Sequence, residues 1–427
     1  MPEFKSLPGF RDFYPADFAV RAHIVSTWRE TAHRYAFEEY DGPPLEPLEL
    51  YTEKSGEEIV AQLYSFTDKG DRQVALRPEM TPTLARMIGA RAGGMAKPIR
   101  WFSTPQLFRY ERAQRGRLRE HFQWNVDIVG EEDIAADAEV LSVALDALQA
   151  FGLTADDVVA RVSDRRLMER VLLSLGVAAD RLPAVYAVID KLEREERART
   201  RTRLLEGAGL EAAVADRILS LFDDGALDTL AGSFAGRPGV DDEVARMRRY
   251  LGYLHDAGFG DFVTFDARIV RGLAYYTGTV FEIFDRRGEL RAICGGGRYD
   301  DLLARVSASD LPAVGFGMGD VVLAELLEER GLLPDVRPTV DYFIVAIGDE
   351  QHPMVRRVAR ALRASGASVV YSLRPTGVGR QFKEAGGRGA RHTVVLGPEE
   401  VARGEAVVKE MDSGQERRVP LVDLGVA

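Results

Sequence analysis

The sequence predicts an α+β domain with a largely antiparallel sheet, an inserted helical domain and a separate C-terminal α/β domain. Three observations lead to this prediction. Short strand-like segments separated by Gly and Pro occupy residues 1–160 and return over 256–330. Helical periodicity with almost no strand signal fills 161–255. Over 338–427, buried-type strands alternate with helical segments, which is the spacing of βαβ units.

The first domain opens with a predicted amphipathic helix. Over residues 17–36, Val20, Ile24 and Trp28 recur four residues apart and so share one helical face. The next segment, Y-D-G-P-P-L-E-P, must be extended or turned because proline restricts its own backbone and that of the preceding residue. Strands are then predicted at Val74–Leu76, Ile99–Glu111 and Phe122–Val129.

The later segments complete this plan. After the helical region, strands are predicted at Phe262–Phe265, Tyr275–Phe284 and Ala292–Cys294, followed by an apolar helix at Val321–Leu327. The linker G-L-L-P-D-V-R-P, residues 331–338, leads into the C-terminal domain. There the predicted buried strands are Y-F-I-V-A-I, S-V-V-Y-S-L and T-V-V-L.

Composition excludes several classes of protein. The single cysteine, Cys294, rules out an intrachain disulfide, and with only six histidines it argues against a Cys/His metal cluster. No run approaches the roughly 18 apolar residues of a membrane helix, so a cytoplasmic location without membrane contact is the default expectation. The net charge of −11 neither supports nor excludes a polyanion partner, because the acidic excess is confined to the part before the slightly basic C-terminal domain.

The segment F-R-Y-E-R-A-Q-R-G-R-L-R-E-H-F-Q-W-N-V-D-I-V-G, residues 108–130, combines five arginines with strict alternation. Alternation places Gln123, Asn125 and Asp127 on one strand face, opposite an apolar face. An antiparallel hairpin with arginines at the rim of a polar floor is predicted. A solvated surface face is the plain alternative, but guanidinium groups are suited to carboxylate and phosphate. The five arginines are Arg109, Arg112, Arg115, Arg117 and Arg119.

Two further segments add polar groups beside glycine or proline. L-R-P-E-M-T-P-T-L-A-R-M, residues 76–87, places Glu79 between a strand and a helix whose predicted N-cap is Thr81. V-R-G-L-A-Y-Y-T-G-T-V-F-E, residues 270–282, and C-G-G-G-R-Y-D, residues 294–300, permit close backbone approach to a ligand. Helix capping and glycine bulges are the alternatives for each segment taken alone.

Taken together, these segments resemble the histidyl-tRNA synthetases, a family of class II aminoacyl-tRNA synthetases, over nearly the whole chain. The helix at 17–36 with Pro43 resembles the family's first motif, and the arginine-rich hairpin its second. R-G-L-A-Y-Y-T-G and G-G-G-R-Y-D resemble its two histidine signatures. The resemblance implies a class II catalytic domain, a helical insertion and a C-terminal anticodon-binding domain. The P-loop pattern G-x-x-x-x-G-K-[ST] is absent from the sequence, as expected for this class.

The resemblance also implies a function and a set of site residues. The expected activity is ATP-dependent ligation of L-histidine to tRNA(His) through a histidyl-adenylate, by a homodimer, with ATP as a substrate and Mg²⁺ expected. Arg271 and Arg109 are the expected catalytic cations, and no metal ligand is assigned. The expected histidine-binding residues are Glu79, Thr81, Gln123, Asp127, Tyr275 and Tyr276, with Asp127 and Tyr276 reading the imidazole. The expected ATP-binding residues are Arg109, Arg117 and Glu111.

One departure from the family pattern concerns the third motif. The segment A-V-G-F-G-M-G-D-V-V-L has Val322 where the family usually has an arginine that clamps ATP. A subgroup that includes plant organellar-type enzymes also reads G-F-G-x-G-D, and Ala274 belongs to the same pattern. Arg298 and Arg115 are the candidates to replace the missing cation. The functional alternative is a silent paralogue that senses histidine or tRNA, although Arg271 and the C-terminal domain are features such regulators often lack.

Overall fold

A computed structural model of the chain describes residues 4–52, 60–112, 114–192, 195–269, 276–307, 309–334 and 339–426. The chain divides into two compact units, Met1–Pro334 and Asp335–Ala427. Within the described ranges, no helix combines the length and apolar character that crossing a membrane requires.

The first unit is built on a nine-stranded sheet. Its strand order is β1-β5-β7-β12-β11-β10-β8-β9, with β6 paired to β7. Every pairing from β5 to β8 is antiparallel, and only the two outermost pairings are parallel. The predicted antiparallel sheet is therefore confirmed. The strands are β1 Glu38–Glu39, β5 Ile99–Ser103, β6 Gln106–Phe108, β7 Glu120–Val129, β8 Val158–Asp164, β9 Val263–Phe265, β10 Thr279–Asp285, β11 Cys294–Arg298 and β12 Ala313–Gly319.

Helices cover the apolar face of this sheet. That face exists because apolar and polar side chains alternate along β7, as predicted. Trp124, Val126 and Ile128 are buried in one cluster with helix α1, Pro15–Arg34, and helix α4, Ala135–Ala150. The rings of Trp28 and Trp124 stack with their centroids 6.0 Å apart. Burying side chains of this size contributes roughly 1.5–3 kcal/mol each. A smaller sheet of β2 Leu45–Pro47, β3 Ser65–Thr67 and β4 Gln73–Leu76 is followed by helix α3, Thr81–Gly89; α2 is Glu49–Thr52.

Three predicted strands were wrong in their bounds. In place of the predicted Tyr275–Phe284, the strand is β10, Thr279–Asp285. The predicted Ile99–Glu111 strand is broken at Thr104–Pro105 into β5 and β6, since proline offers no N–H to a ladder. The predicted Ala292–Cys294 strand lies instead at Cys294–Arg298, with the glycine run inside it. A Cβ on Gly296 would clash with the Gly315 carbonyl and come within 2.7 Å of the Phe281 ring, so the glycines are required by close packing across the sheet.

The region between β8 and β9 is helical, as predicted. Its helices share one hydrophobic cluster with the sheet, and β8 itself crosses the predicted domain boundary at residue 160. The insertion as a separate domain over 161–255 stays a prediction. The helices are α5 Arg165–Ser174, α6 Leu182–Ile189, α7 Arg197–Thr202, α8 Ala212–Asp224, α9 Leu227–Ser233 and α10 Val240–Asp256. After it come α11 Leu302–Val306 and α12 Asp320–Glu329.

The second unit is an α/β domain with a five-stranded sheet in the order β14-β13-β15-β16-β17. The first three strands are parallel and confirm the predicted βαβ units. The closing antiparallel hairpin β16–β17 was not predicted. The elements are β13 Val340–Ala346, α13 His352–Ala364, β14 Val369–Tyr371, α14 Val378–Gly387, β15 Ala390–Leu396, α15 Pro398–Ala402, β16 Glu405–Glu410 and β17 Glu416–Pro420.

Candidate active site

A cleft of about 700 Å³ opens on the polar face of the first unit's sheet. Four residues predicted from the sequence line it, namely Arg109, Glu111, Arg117 and Gln123. Val322 also lines it, at the position where the third motif departs from the family pattern. The predicted arginine rim and the polar floor therefore meet in one cavity of the size that small-molecule ligands occupy.

Glycines on β11 and β12 make the floor beside this cleft. Gly315 pairs with Asp127 on one side and with Gly297 on the other. A Cβ on Gly315 would overlap the Asp127 carboxylate, and a Cβ on Gly297 would come within 2.9 Å of the Tyr276 ring. Paired residues of antiparallel strands point to the same face of the sheet. Asp127 and Tyr276 therefore pack against Gly315 and Gly297, which are neighbours on that face. Each of the two predicted imidazole readers thus lies against one of two paired glycines.

Asp127 has unusual electrostatics. Its side chain is buried, and burial raises its pKa to about 7, although the hydrogen bond from the Tyr299 hydroxyl opposes that rise. A carboxyl with such a pKa changes protonation near neutral pH, where a histidine imidazole also titrates. Tyr299 was missed as a site residue, although it belongs to the quoted G-G-G-R-Y-D segment.

Gln123 lies between the buried carboxyl and the arginine rim. Its amide nitrogen donates to Asn125 Oδ1 at 2.7 Å, and its amide oxygen lies 3.4 Å from His121 Nε2. Burial, helped by the Arg109 charge, lowers the pKa of His121 to about 3, so this imidazole is neutral at physiological pH. His121 lines the cleft and was not among the predicted site residues.

The two arginines of the rim are held by neighbouring groups. Arg109 Nε donates to the Pro78 carbonyl at 2.9 Å, which ties the hairpin to the segment before α3. Arg117 Nη1 lies 2.7 Å from Glu111 Oε2, and Glu111 is buried. Both guanidinium groups are thus oriented while they still line the cleft.

The other arginines of the hairpin have different partners. Arg115 Nε donates to Glu325 on α12 at 3.3 Å, and the Arg115 side chain also pairs with Glu329. Arg119 donates to the Glu111 carbonyl at 3.0 Å and lies over the Tyr110 ring. Acidic and aromatic partners therefore engage these two arginines, and neither is in the cleft lining.

Glu79 and Thr81 are not in the lining of the described cleft. Glu79 is buried, one residue after the carbonyl that Arg109 binds. The predicted N-cap at Thr81 is wrong, since α3 begins at Thr81 and its N-cap position is Met80, without a side-chain cap bond. Arg77 fixes this segment by donating to Asp41 and to the Gly42 carbonyl, each at 2.7 Å.

Arg298 and Arg115 do not replace the third-motif cation at Val322. Arg298 is 1% exposed, donates to Asp137 Oδ2 at 3.0 Å and is not in the cleft lining. Arg115 is held by α12 outside that lining. Arg298 is therefore part of the buried core, and Arg115 is engaged by acidic residues at the surface. The predicted residues Arg271, Ala274 and Tyr275 lie outside the residues that the structure describes.

An ion-pair cluster that the sequence did not predict supports the hairpin. Arg11 lies 2.6 Å from Glu120 and 2.9 Å from Asp320, the first residue of α12. The same Asp320 carboxylate accepts the Phe122 backbone N–H at 2.9 Å. The start of the chain therefore joins the hairpin to the variant third motif. These ion pairs join residues that are far apart in the sequence, so no local sequence pattern predicts them.

Comparisons with known proteins identify the family of the chain. The histidyl-tRNA synthetase family model matches residues 9–320, and the anticodon binding domain model matches 341–425. The chain is 45% identical to a histidine–tRNA ligase of Opitutus terrae, covering 98% of this chain and 97% of that protein. It is 39% identical to the chloroplastic/mitochondrial histidine–tRNA ligase of Arabidopsis thaliana, covering 97% and 85%. A histidyl-tRNA synthetase structure from Nostoc superposes with a TM-score of 0.82 at 24% identity, covering 100% and 99%.

Proposed function

Because the chain belongs to the histidyl-tRNA synthetase family, we propose that it ligates L-histidine to tRNA(His) through a histidyl-adenylate formed from ATP. The observation that carries this proposal is a set of contacts around one sheet. Arg109, Arg117 and Gln123 line the cleft, and Asp127 and Tyr276 lie against the paired glycines Gly315 and Gly297.

In the first step the histidine carboxylate attacks the α-phosphorus of ATP, and pyrophosphate leaves. This reaction brings anions together, so oriented cations are the main help that the protein can provide. Arg109, anchored by the Pro78 carbonyl, is assigned to the α-phosphate. Arg117, anchored by Glu111, is assigned to the γ-phosphate. Arg271 is assigned to the substrate carboxylate and the α-phosphate.

The amino acid is assigned to the floor. Asp127 and Tyr276 read the two imidazole nitrogens, while Glu79, Thr81 and Gln123 hold the α-amino end. Tyr275 is also assigned to histidine binding. A buried polar pair of this kind discriminates strongly, because an apolar side chain would leave its members without partners. The Asp127 pKa near 7 lets this carboxyl accept an imidazole N–H in the same pH range where histidine is neutral.

Mg²⁺ is expected to enter with the nucleotide. The carboxylates that line the cleft are Glu111, Asp190 and Glu282, and oxygen donors of this kind suit Mg²⁺. Among the described residues, no group of three or more His, Cys, Asp or Glu could form a dedicated metal site. Magnesium ions are typically held by substrate phosphates with one or two carboxylates, which these residues fit. The ion would neutralise charge on the phosphates.

The second unit is assigned to tRNA recognition, since the anticodon binding domain model matches it. A homodimer and a cytoplasmic location remain expectations from the family. Light scattering of the purified chain tests the first, and a fluorescent fusion observed in cells tests the second.

The test of the proposed function is charging of tRNA(His) with radiolabelled histidine by the purified chain. Charging that needs ATP and fails with another tRNA supports the proposal. Histidine binding without any charging would contradict it and would favour the sensing paralogue instead.

A further inference from the structure

Three segments of the first unit converge at one point of the cleft wall. A Cβ built at Gly116, in the hairpin loop, would lie 3.3 Å from Val322 Cγ2 and 3.6 Å from Arg291 Cδ. Gly116, Val322 and Arg291 all line the cleft. Arg291 Cδ and Val322 Cγ2 therefore both lie near Gly116, at the edge of the hairpin loop that carries Arg117.

The cations of the cleft are Arg109, Arg117, Arg268 and Arg291. Arg268 is committed to a carboxylate within the protein, since its Nε and Nη2 each donate to Asp266 at 2.8 Å. Arg109 and Arg117 come from the hairpin. Arg291 comes from the connection between β10 and β11, so it brings positive charge to the cleft from a different element.

The neighbourhood of Arg291 matches the requirements of a phosphate. Val322 is a buried hydrocarbon and offers an anion no hydrogen bond. A guanidinium offers up to five N–H donors in a planar fork that fits phosphate oxygens. The Arg291 side chain is exposed and lines the cleft.

We propose that Arg291 is a nucleotide-binding residue, whose guanidinium contacts the phosphate chain of ATP from the wall formed by Val322. This inference rests on the proposed function and deepens it. It names the residue that would take over ATP binding from the third-motif arginine, whose position is occupied by Val322.

The test is histidine-dependent ATP–pyrophosphate exchange by the full chain with MgATP as the varied substrate. Arg291→Ala is expected to raise the KM for ATP by roughly 10- to 100-fold, the loss typical of a hydrogen bond to a charged group. The KM for histidine should change less than threefold. Arg291→Lys, which keeps the charge without the fork, should lie between Ala and wild type.

Two further variants sharpen this test. Arg287→Ala removes an exposed arginine of the same connection that is not in the cleft lining, and it should leave both KM values unchanged. Val322→Arg in the Arg291→Ala background places a guanidinium beside the same Gly116 position and should recover part of the ATP affinity. This rescue would not occur if Arg291 only supported the fold.

Arg291→Ala with an unchanged KM for ATP would overturn the inference, as would equal losses for ATP and histidine. Failure of Val322→Arg to recover any ATP affinity would also count against it. A wild-type chain that shows no exchange would refute the proposed function itself, so the two failures are distinguishable.

Discussion

The Tyr299 hydroxyl donates a hydrogen bond to the Asp127 carboxylate across 172 positions of sequence. Both residues are buried, and Asp127 lies over Gly315 in the centre of the sheet. Burial raises the pKa of Asp127, whereas this hydrogen bond lowers it, and the balance is a pKa of about 7. Tyr299 therefore tunes the carboxyl that we assign to imidazole recognition.

Tyr299→Phe should shift the pH dependence of histidine use upward. The substitution removes the O–H donor that favours the charged carboxylate, so the pKa of Asp127 should rise from its value of about 7. The rising limb of kcat/KM for histidine should move to higher pH, measured by pyrophosphate exchange across pH 5.5 to 9. Tyr253→Phe, at an exposed tyrosine, is the control. A limb that stays in place or moves to lower pH would contradict this assignment.

Asp127→Asn should weaken histidine use far more than ATP use. Asparagine keeps the size of the side chain but removes the charge that accepts the imidazole N–H, a loss of about 1.5–3 kcal/mol. Steady-state exchange kinetics should show kcat/KM for histidine reduced by roughly 10- to 100-fold with the KM for ATP nearly unchanged. Equal losses for both substrates would mean that Asp127 does not read the imidazole.

Gly315→Ala should displace the Asp127 carboxylate, since the added methyl group would overlap it. We expect weaker histidine binding by titration calorimetry, by at least tenfold. Gly252→Ala, in α10 with nothing within 4 Å of the added Cβ, is the matched control and should bind as wild type does. Normal histidine affinity in Gly315→Ala would show that the floor tolerates a side chain.

Arg298→Ala should destabilise the fold. Arg298 and Asp137 are each 1% exposed, and removal of one partner leaves the other charge buried without compensation. The expected loss is about 3–5 kcal/mol in the free energy of unfolding, measured by urea denaturation. Arg115→Ala, which breaks an exposed pair with Glu325, should cost less than about 1 kcal/mol. Equal stabilities for the two variants would refute the structural role of Arg298.

Local patterns were sufficient to predict part of the site. Alternation along β7 correctly separated Gln123 and Asp127 from Trp124, because side-chain direction in a strand follows directly from sequence position. The glycine run of β11 was placed wrongly, because its reason lies in tight contacts with other strands.

Partners that are distant in the sequence were not predictable. Arg115 pairs with Glu325, 210 residues away in the sequence, and Arg298 pairs with Asp137, 161 residues away. The sequence does not distinguish an arginine that binds a ligand from one that pairs with a buried carboxylate. The tertiary structure alone separates Arg109 and Arg117, which line the cleft, from Arg115, which pairs with Glu325 at the surface, and Arg298, which pairs with a buried carboxylate.

Histidine-dependent exchange of pyrophosphate into ATP by the purified chain tests the central claim most directly, since it needs the arginine rim and the imidazole floor to act together. We predict exchange with histidine and at least 10³-fold less with phenylalanine or leucine. Exchange that does not depend on histidine, or no exchange from a folded chain that binds ATP and histidine, would contradict it.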